Sequence, residues 1–261
     1  MRLTALAFMV VVGCSTDAFI TPDGSTSDAS LGDGGPSEDS PTNDACQSAP
    51  ACAPPAVCTT FDTTNPYGAF TTSTAGVATL ALTTIHAVTC PNSMMVTLGA
   101  NAATTDHATI SYNYMLAGGG NTSTVETVLV VDAWLPTTVT GDIMFVRVAA
   151  NAIGVALRAA STGYYVYVEA EAAERMLPAA PVLGAWNHIT LDVTFAAMGG
   201  MVKLVYDTPS MPQQTGMWSA NTLGSTTSVV TSTQTQVGMT ADDPVASMAT
   251  AYYDDVTFTP M

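Results

Sequence analysis

Residues 124–134, which read TVETVLVVDAW, carry a strand pattern on both sides of an extended chain. The odd-numbered positions, which would share one face, are Val125, Thr127, Leu129, Val131 and Ala133. The opposite face would carry two further valines, Val128 and Val130. Val and Thr are favoured in strands, and a strand that is apolar on both faces is typical of the middle of a sheet. This stretch therefore predicts a central β-strand.

Nine other stretches are short, rich in Val, Thr, Tyr and Ile, and bounded by Gly, Asn or Asp, which predicts strands. They are Met94–Leu98, Ala108–Met115, Asp142–Ala149, Gly154–Ala160, Tyr164–Glu171, Trp186–Phe195, Met201–Asp207, Thr227–Met239 and Met248–Thr259. Good helix formers fill residues 169–174, but a strand-like run precedes them, so we expect a strand end and a loop, with one helical turn as the alternative. The pattern predicts an all-β, two-sheet antiparallel sandwich.

Three stretches in the last third follow a familiar order: WNHITLDV at 186–193, MVKLVYD at 201–207 and YYDDVTF at 252–258. They resemble the laminin-G-like, or concanavalin A-like, jelly-roll domains of extracellular lectins and glucanases. There a W-x-x-I/V-x-L strand precedes a V-x-L-x-x-D strand, and a Y-x-D-D-V strand closes the domain. The resemblance covers residues 58–261 and implies two curved sheets with a concave face that often binds carbohydrate. Because sites are grafted onto such folds independently, the residues must decide the function.

The N-terminal residues MRLTALAFMVVVGC resemble the signal of a bacterial lipoprotein. Arg2 supplies a positive charge, Leu3–Val12 is apolar, and residues 11–14 resemble a lipobox. The apolar run is too short to span a bilayer, so we expect residues 1–13 to be removed as an export signal. The resemblance implies that Cys14 is lipidated, and Ser15 in place of Asp favours the outer membrane or cell surface. An ordinary signal peptide with a free Cys14 is the alternative.

Residues 14–57 are rich in Ser, Thr, Asp, Gly and Pro, which predicts a disordered linker between the lipid and the folded domain. The net charge of the whole chain is −16. From residue 58 onward, fourteen acidic residues against four basic ones leave −10. Nucleic acid is thereby disfavoured as a partner, because phosphate contacts need clustered Lys and Arg. The lipid is the only membrane attachment that we predict.

With Cys14 lipidated, four cysteines remain, and an exported protein is expected to pair them. They are Cys46, Cys52, Cys58 and Cys90, and three connectivities are possible. We favour Cys46–Cys52 and Cys58–Cys90. Zinc is disfavoured because there is no Cys-x-x-Cys pair and the three histidines are scattered.

The best candidate ligand-binding residues lie near the middle of the domain. Tyr165, Tyr167, Glu169 and Glu171 would alternate onto one side of a strand. Aromatic rings pack on sugar rings, and planar polar groups orient them, so this stripe suits a glycan. The alternative is that these tyrosines only cover the second face of a sheet.

The run from Glu169 to Glu174 also resembles the E-x-D-x-x-E motif of retaining glucanases, whose outer carboxylates serve as nucleophile and acid. Alanines replace the bulky apolar residues of that motif, and its flanking tryptophans are missing. A solvated acidic loop ending at Arg175 is the alternative, and we expect no catalytic residues.

Asp254 and Asp255 resemble the closing strand of several β-sandwich carbohydrate-binding modules, in which an aspartate helps to bind structural Ca²⁺. Asp62 could lie on a neighbouring strand and complete such a site. Aspartates that only hydrogen-bond a turn or face solvent are the alternative.

Taken together, these patterns predict a lipid-anchored surface protein whose non-catalytic jelly-roll domain binds a glycan, such as a polysaccharide, or another surface protein. An adhesive or structural protein without sugar affinity is the first alternative. A concanavalin A-like glycoside hydrolase is the second.

Overall fold

A computed structural model describes residues 52–89, 91–116, 124–151, 153–196, 199–208, 210–220, 223 and 230–261. Fifteen strands within these ranges are numbered in chain order. They are β1 (Val57–Thr59), β2 (Thr71–Ala75), β3 (Ala78–Thr83), β4 (Ser93–Leu98), β5 (His107–Met115), β6 (Thr124–Trp134), β7 (Ile143–Ala150), β8 (Ile153–Ala160), β9 (Gly163–Val168), β10 (Ala173–Met176), β11 (Trp186–Ala196), β12 (Gly200–Thr208), β13 (Met211–Ala220), β14 (Ser232–Ala241) and β15 (Ala249–Pro260). One turn of 3-10 helix, Glu169–Glu171, follows β9.

The strands form two antiparallel sheets. The order is β13-β12-β11-β6-β15-β4-β3 in the eight-stranded sheet, where β1 also pairs with β15. The seven-stranded sheet has the order β10-β9-β8-β7-β14-β5-β2. The predicted all-β antiparallel sandwich is confirmed. No helix formed by the described residues is long and apolar enough to cross a membrane.

Strand β6 has the central position that its two apolar faces predict. It pairs with β11 from Trp186 opposite Trp134 to Ala196 opposite Thr124, and with β15 on its other side. Leu129 and Val131 are fully buried between the sheets. Val130 lies on the outer face and is partly buried. The alternation of this strand therefore fixes which face of the sheet meets the core.

The disulfide pairing differs from the one we favoured. Cys52 and Cys58 are bonded, with their Cα atoms 5.9 Å apart, across a turn closed by a hydrogen bond from Ala56 N to Ala53 O. This bond excludes both Cys46–Cys52 and Cys58–Cys90, which are therefore wrong. A six-residue separation with an intervening turn brings the two thiols together locally, just before and within β1. Cys46 and Cys90 lie outside the described residues, as do the signal peptide, Cys14 and the linker up to residue 51.

Candidate functional site

Polar side chains cover the outer face of the seven-stranded sheet. Strand β8 shows the pattern: Val155 and Leu157 point into the core, whereas Arg158 lies on the other side. On β7, Val146 and Val148 are buried, and Arg147 lies between them on the outer face. A strand needs only one apolar face to pack on the opposite sheet, so the second face can carry polar groups. We call this outer surface, around Arg147 and Arg158, the polar face.

The first ion pair on the polar face joins Arg147 to Glu169. Arg147 Nε donates to Glu169 Oε1 at 2.5 Å, and Nη2 donates to Oε2 at 2.8 Å. The 3-10 turn after β9 brings Glu169 back over β8, above Gly154. A Cβ at position 154 would lie 2.6 Å from Arg147 Nε and from both Glu169 carboxylate oxygens. The absence of a side chain at Gly154 therefore makes room for this bidentate pair.

The second group on the polar face is built around Arg158. Its Nη1 lies 3.1 Å from Asp242 Oδ2 and 3.6 Å from Asp142 Oδ2. Asp142 precedes β7 and Asp242 follows β14, and the two loops are joined by a hydrogen bond from Asp242 N to Asp142 O of 2.8 Å. The Arg158 guanidinium also lies over the Tyr167 ring, with Cζ 4.0 Å from its centroid.

Three buried polar atoms in this second group make no hydrogen bond with the described residues. They are a donor, Arg158 Nε, and two acceptors, Asp142 Oδ1 and Asp242 Oδ2. Buried polar atoms are almost always hydrogen-bonded. One that has no protein partner needs an explanation, such as a hydrogen bond to water or to a bound ligand. Burial, partly offset by Arg158, raises the pKa of Asp242. The group therefore holds its charges in a partly desolvated setting.

A cavity of about 370 Å³ lies between the two ion pairs. Its polar lining comes from four strands and the loops beside them, and includes His107, Arg147, Arg158, Glu169, Gln236 and Asp242. Gln236 Nε2 donates to Thr109 Oγ1 at 3.3 Å. The ring of His107 is held between Thr105 O at 2.8 Å and Ser73 Oγ at 2.9 Å. This volume lies within the range of small-ligand pockets, and the lining presents both donors and acceptors.

The sequence-predicted stripe is only partly assembled on the polar face. Tyr165 and Tyr167 lie on the outer side of β9, because Tyr164, Val166 and Val168 belong to the core. Tyr165 is 2% exposed, however, so its ring cannot serve as a platform for a sugar. Burial, together with the neighbouring Asp142 carboxylate, raises the pKa of its hydroxyl.

The other members of the stripe differ in their surroundings. The Arg158 guanidinium covers Tyr167, which is partly buried, and Glu169 lines the cavity. Glu171 lies in the 3-10 turn and accepts a hydrogen bond from Arg175 Nη2 at 2.7 Å. Glu174 lies on β10, opposite Tyr167. The three glutamates of the glucanase-like motif are thus divided between a turn and the next strand.

Sequence reasoning missed most of the cavity lining. Arg147 and Arg158 do carry a local signal: each is the single charged residue in an apolar strand, IMFVRVAA and IGVALRAA. The chain has only five Lys and Arg residues in total, which makes two in adjacent strands conspicuous. Gln236 and Asp242 have no such signal, because only the position of β14 beside β7 brings them to the cavity.

A second polar cluster surrounds the C-terminal aspartates on β15. Asp254 is fully buried and its carboxylate accepts four hydrogen bonds. Its donors are Val88 N at 2.8 Å, Thr89 N at 2.9 Å, Asp255 N at 2.9 Å and Thr89 Oγ1 at 3.2 Å. Asp254 therefore holds the loop before β4 against the eight-stranded sheet.

The other two aspartates of the predicted calcium site also accept hydrogen bonds from protein donors. Asp255 Oδ1 accepts from Thr89 Oγ1 at 3.0 Å, and Asp62 Oδ1 accepts from Asn92 N at 2.7 Å. No group of three His, Cys, Asp or Glu residues in the described part of the chain is arranged to hold a metal ion. Protein donors meet all four acceptor positions of Asp254, so this carboxylate does not fit a calcium ligand as it stands. Calcium binding through Asp62, Asp254 and Asp255 stays a prediction.

The carboxylates of this cluster affect one another's ionisation. Burial, reinforced by the Asp255 carboxylate, raises the pKa of Asp254 to about 7. Burial also raises the pKa of Asp255 to about 6, although its hydrogen bond from Thr89 opposes the rise. His188, whose Nδ1 lies 2.8 Å from Asp132 Oδ1, has a raised pKa because of that hydrogen bond. Asp254, Asp255 and His188 therefore keep their protons to a higher pH in the folded protein than in the unfolded chain.

Comparison with known proteins identifies the fold. No protein-family model and no curated protein sequence matches the chain. Among solved structures, it is similar to the cellulose-induced protein Cip1 (TM-score 0.53, 14% identity, covering 78% of this chain and 96% of that one). It is also similar to an endo-β-1,4-glucuronan lyase from the fungus Trichoderma reesei (TM-score 0.53, 12% identity, covering 72% of this chain and 90% of that one). A third similar structure is the metal-free lectin I-B4 from Griffonia simplicifolia (TM-score 0.50, 10% identity, covering 78% of this chain and 99% of that one). At these identities the likeness concerns the fold alone, and it confirms a concanavalin A-like jelly roll.

Proposed function

We propose that the polar face binds a glycan, and that the protein is a non-catalytic carbohydrate-binding module displayed at the cell envelope. The observation that carries the proposal is the cavity between two arginine–carboxylate groups, which is lined by Arg158 and Asp242, each with a buried polar atom that makes no hydrogen bond. A purely structural sheet face has no need of such groups, because burying them without partners costs about 1 to 3 kcal/mol each.

The chemistry of the polar face suits sugar hydroxyls. A hydroxyl both donates and accepts, so vicinal hydroxyls can meet a guanidinium edge and a carboxylate at once. Arg147 and Glu169 orient each other through two parallel hydrogen bonds, and Tyr167 supports Arg158. Groups that are already fixed lose less conformational freedom when a ligand binds. An adhesive role without sugar affinity would leave these features unexplained.

Replacing Gly154 with alanine tests the site with a single methyl group. The new Cβ would force the Arg147–Glu169 pair to move, while the backbone φ of Gly154 is open to any residue. We expect retention on soluble polysaccharides in affinity electrophoresis to fall about tenfold or more, because the pair would lose its bidentate geometry. The probes are laminarin, galactomannan and xyloglucan.

Glu126→Gln is the control for this experiment, since Glu126 is exposed on β6 of the other sheet. It should leave retention unchanged. Thermal unfolding of both variants checks that each is folded. Equal retention by Gly154→Ala and the unchanged protein would show that the polar face is not the binding site.

Absence of catalysis is the second prediction for the same polysaccharides. Glu169 and Glu171 are each paired with an arginine, and Glu174 is exposed on another strand. We therefore expect neither new reducing ends nor an ultraviolet-absorbing unsaturated product after prolonged incubation. Release of reducing sugar that Glu169→Gln abolishes would instead establish a hydrolase.

The proposed display at the envelope depends on Cys14. Lipidation there is supported by the lipobox-like residues 11–14. Replacing Cys14 with serine should move the protein from the membrane fraction to the soluble fraction, because several acyl chains on one residue give stable anchoring. Immunoblots of separated membranes measure the change, with Ser15→Ala as the control. Membrane recovery that is unchanged in Cys14→Ser would rule the lipid anchor out.

A further inference from the structure

We infer that the polar face selects neutral sugars and discriminates against uronic acids, an inference that rests on the proposed glycan-binding function. It concerns the chemical class of the ligand, which the charges around the cavity determine.

The two guanidiniums that line the cavity are already paired with carboxylates. Arg147 and Arg158 line it together with Glu169 and Asp242, and a further carboxylate, Asp142, lies beside Arg158 outside the lining. All five side chains are at most one-third exposed, with values from 12% to 33%. Both cations are therefore already neutralised by the protein, and one negative charge is in excess. An incoming carboxylate would add a like charge in a partly desolvated setting.

The geometry of Arg147 reinforces this selection. The Nε–Nη2 edge is the fork that best accepts a carboxylate in two parallel hydrogen bonds. Glu169 already occupies that edge, at 2.5 and 2.8 Å. A uronate would have to displace Glu169 from it, and the Glu169 carboxylate would then lack its cation.

The buried atoms without partners point to the same ligand class. Of the lining residues, Arg158 has an Nε that requires an acceptor, and Asp242 has an Oδ2 that can accept from a hydroxyl. A neutral hydroxyl can supply either role, so neighbouring hydroxyls of one sugar can satisfy both atoms. A uronate also has hydroxyls, but its carboxylate only accepts hydrogen bonds and would repel the neighbouring Asp242 carboxylate. At longer range, the net charge of −10 from residue 58 onward repels polyanions.

The test compares polysaccharides that differ only in charge. Alginate and polygalacturonate are each presented with their carboxyl-reduced, neutral counterparts, beside laminarin and galactomannan. The full-length protein should retain at least one neutral polymer and bind each anionic polymer about tenfold or more weakly than its reduced form at low salt. The difference should shrink as salt is added.

Glu169→Gln tests the cause of the selection. The glutamine amide keeps one acceptor for Arg147, puts an N–H donor where the second acceptor was, and removes the neutralising charge. We expect the ratio of the affinity for alginate to that for its carboxyl-reduced form to rise about fivefold or more, and retention of neutral polymers to fall because the bidentate pair is lost. Glu126→Gln makes the same charge change on the other sheet and should not alter the ratio. If Glu169→Gln does not fold, Asp242→Asn makes the equivalent change beside Arg158.

The outcomes separate the two claims. Retention of alginate or polygalacturonate at least as strong as that of the reduced form would overturn the neutral-sugar inference and leave glycan binding intact. An equal gain for anionic polymers in Glu126→Gln would also overturn it, because the cause would then be overall charge. If no polymer on the panel is retained, the proposed function fails, and the inference fails with it.

Discussion

Replacing Leu129 with alanine is expected to lower the free energy of unfolding by about 3 to 4 kcal/mol. Leu129 is fully buried in β6, opposite Leu191 of β11 and Phe258 of β15. Both neighbours are fully buried too, so the sheets have little room to close the resulting cavity. Equilibrium denaturation in urea measures the loss.

Val130→Ala is the matched control, one residue away on the same strand. Val130 lies on the outer face and is only partly buried, so its loss should cost about 1 kcal/mol or less. Equal losses for the two variants would contradict the assignment of the odd-numbered side of β6 to the core.

The same alternation explains how far the fold could be predicted from sequence. Strand β6 matches its predicted bounds, and β11 extends one residue past its prediction, because both run through the middle of a sheet with a strict alternation. The five strands that the sequence did not predict are β1, β2, β3, β10 and β13. Four of them lie at the ends of the sheets, and β1 pairs with β15 alone. An edge strand pairs on one side only, so its residues are less constrained. Strand β2 is TTSTA, and all five of its residues are exposed. Strand β13 contains Pro212 and Gly216, which are unfavourable inside a strand.

The site was less predictable because it depends on the order of strands. Tyr167 and Glu169 are close in sequence, so a local pattern could find them. Arg147, Gln236 and Asp242 are separated by up to 95 positions and meet only because β14 lies beside β7. The residues of one strand do not predict which strands will lie beside it in the sheet. The local pattern also could not predict that Arg158 would cover Tyr167 and that Tyr165 would be buried.

Without calcium, the domain is expected to lose stability as the pH rises from 5 to 8. Asp254 and Asp255 have pKa values of about 7 and about 6 in the folded protein, above the ordinary value of 3.8. The folded state therefore keeps protons that the unfolded state has released. That stability is fully present below about pH 4 and is lost as the pH passes through 6 and 7. The raised pKa values of His188 and Asp242 act in the same direction.

The measurement is the midpoint of thermal unfolding in EGTA, which we expect to fall by about 5 °C or more between pH 5 and pH 8. Asp255→Asn should flatten this dependence, because it removes the carboxylate that most raises the pKa of Asp254. Asp192→Asn on the outer side of β11 serves as the control. A midpoint that rises with pH in EGTA would contradict the raised pKa values of the cluster.

Adding calcium distinguishes two roles for Asp62, Asp254 and Asp255: binding a metal ion, or only holding the loop before β4 against the sheet. A calcium ion binds ionised carboxylates, so bound metal would stabilise the domain more at pH 8 than at pH 5 and would reverse the slope. If Asp62, Asp254 and Asp255 bind calcium as the sequence predicts, adding it at pH 8 should raise the midpoint, and Asp255→Asn should abolish the rise. Since Val88, Thr89 and Asp255 itself already donate to Asp254, the ion would have to displace some of these hydrogen bonds. An unchanged midpoint at pH 8 would leave Asp254 as the carboxylate that fastens the loop before β4 to the sheet, with protons as its only cations.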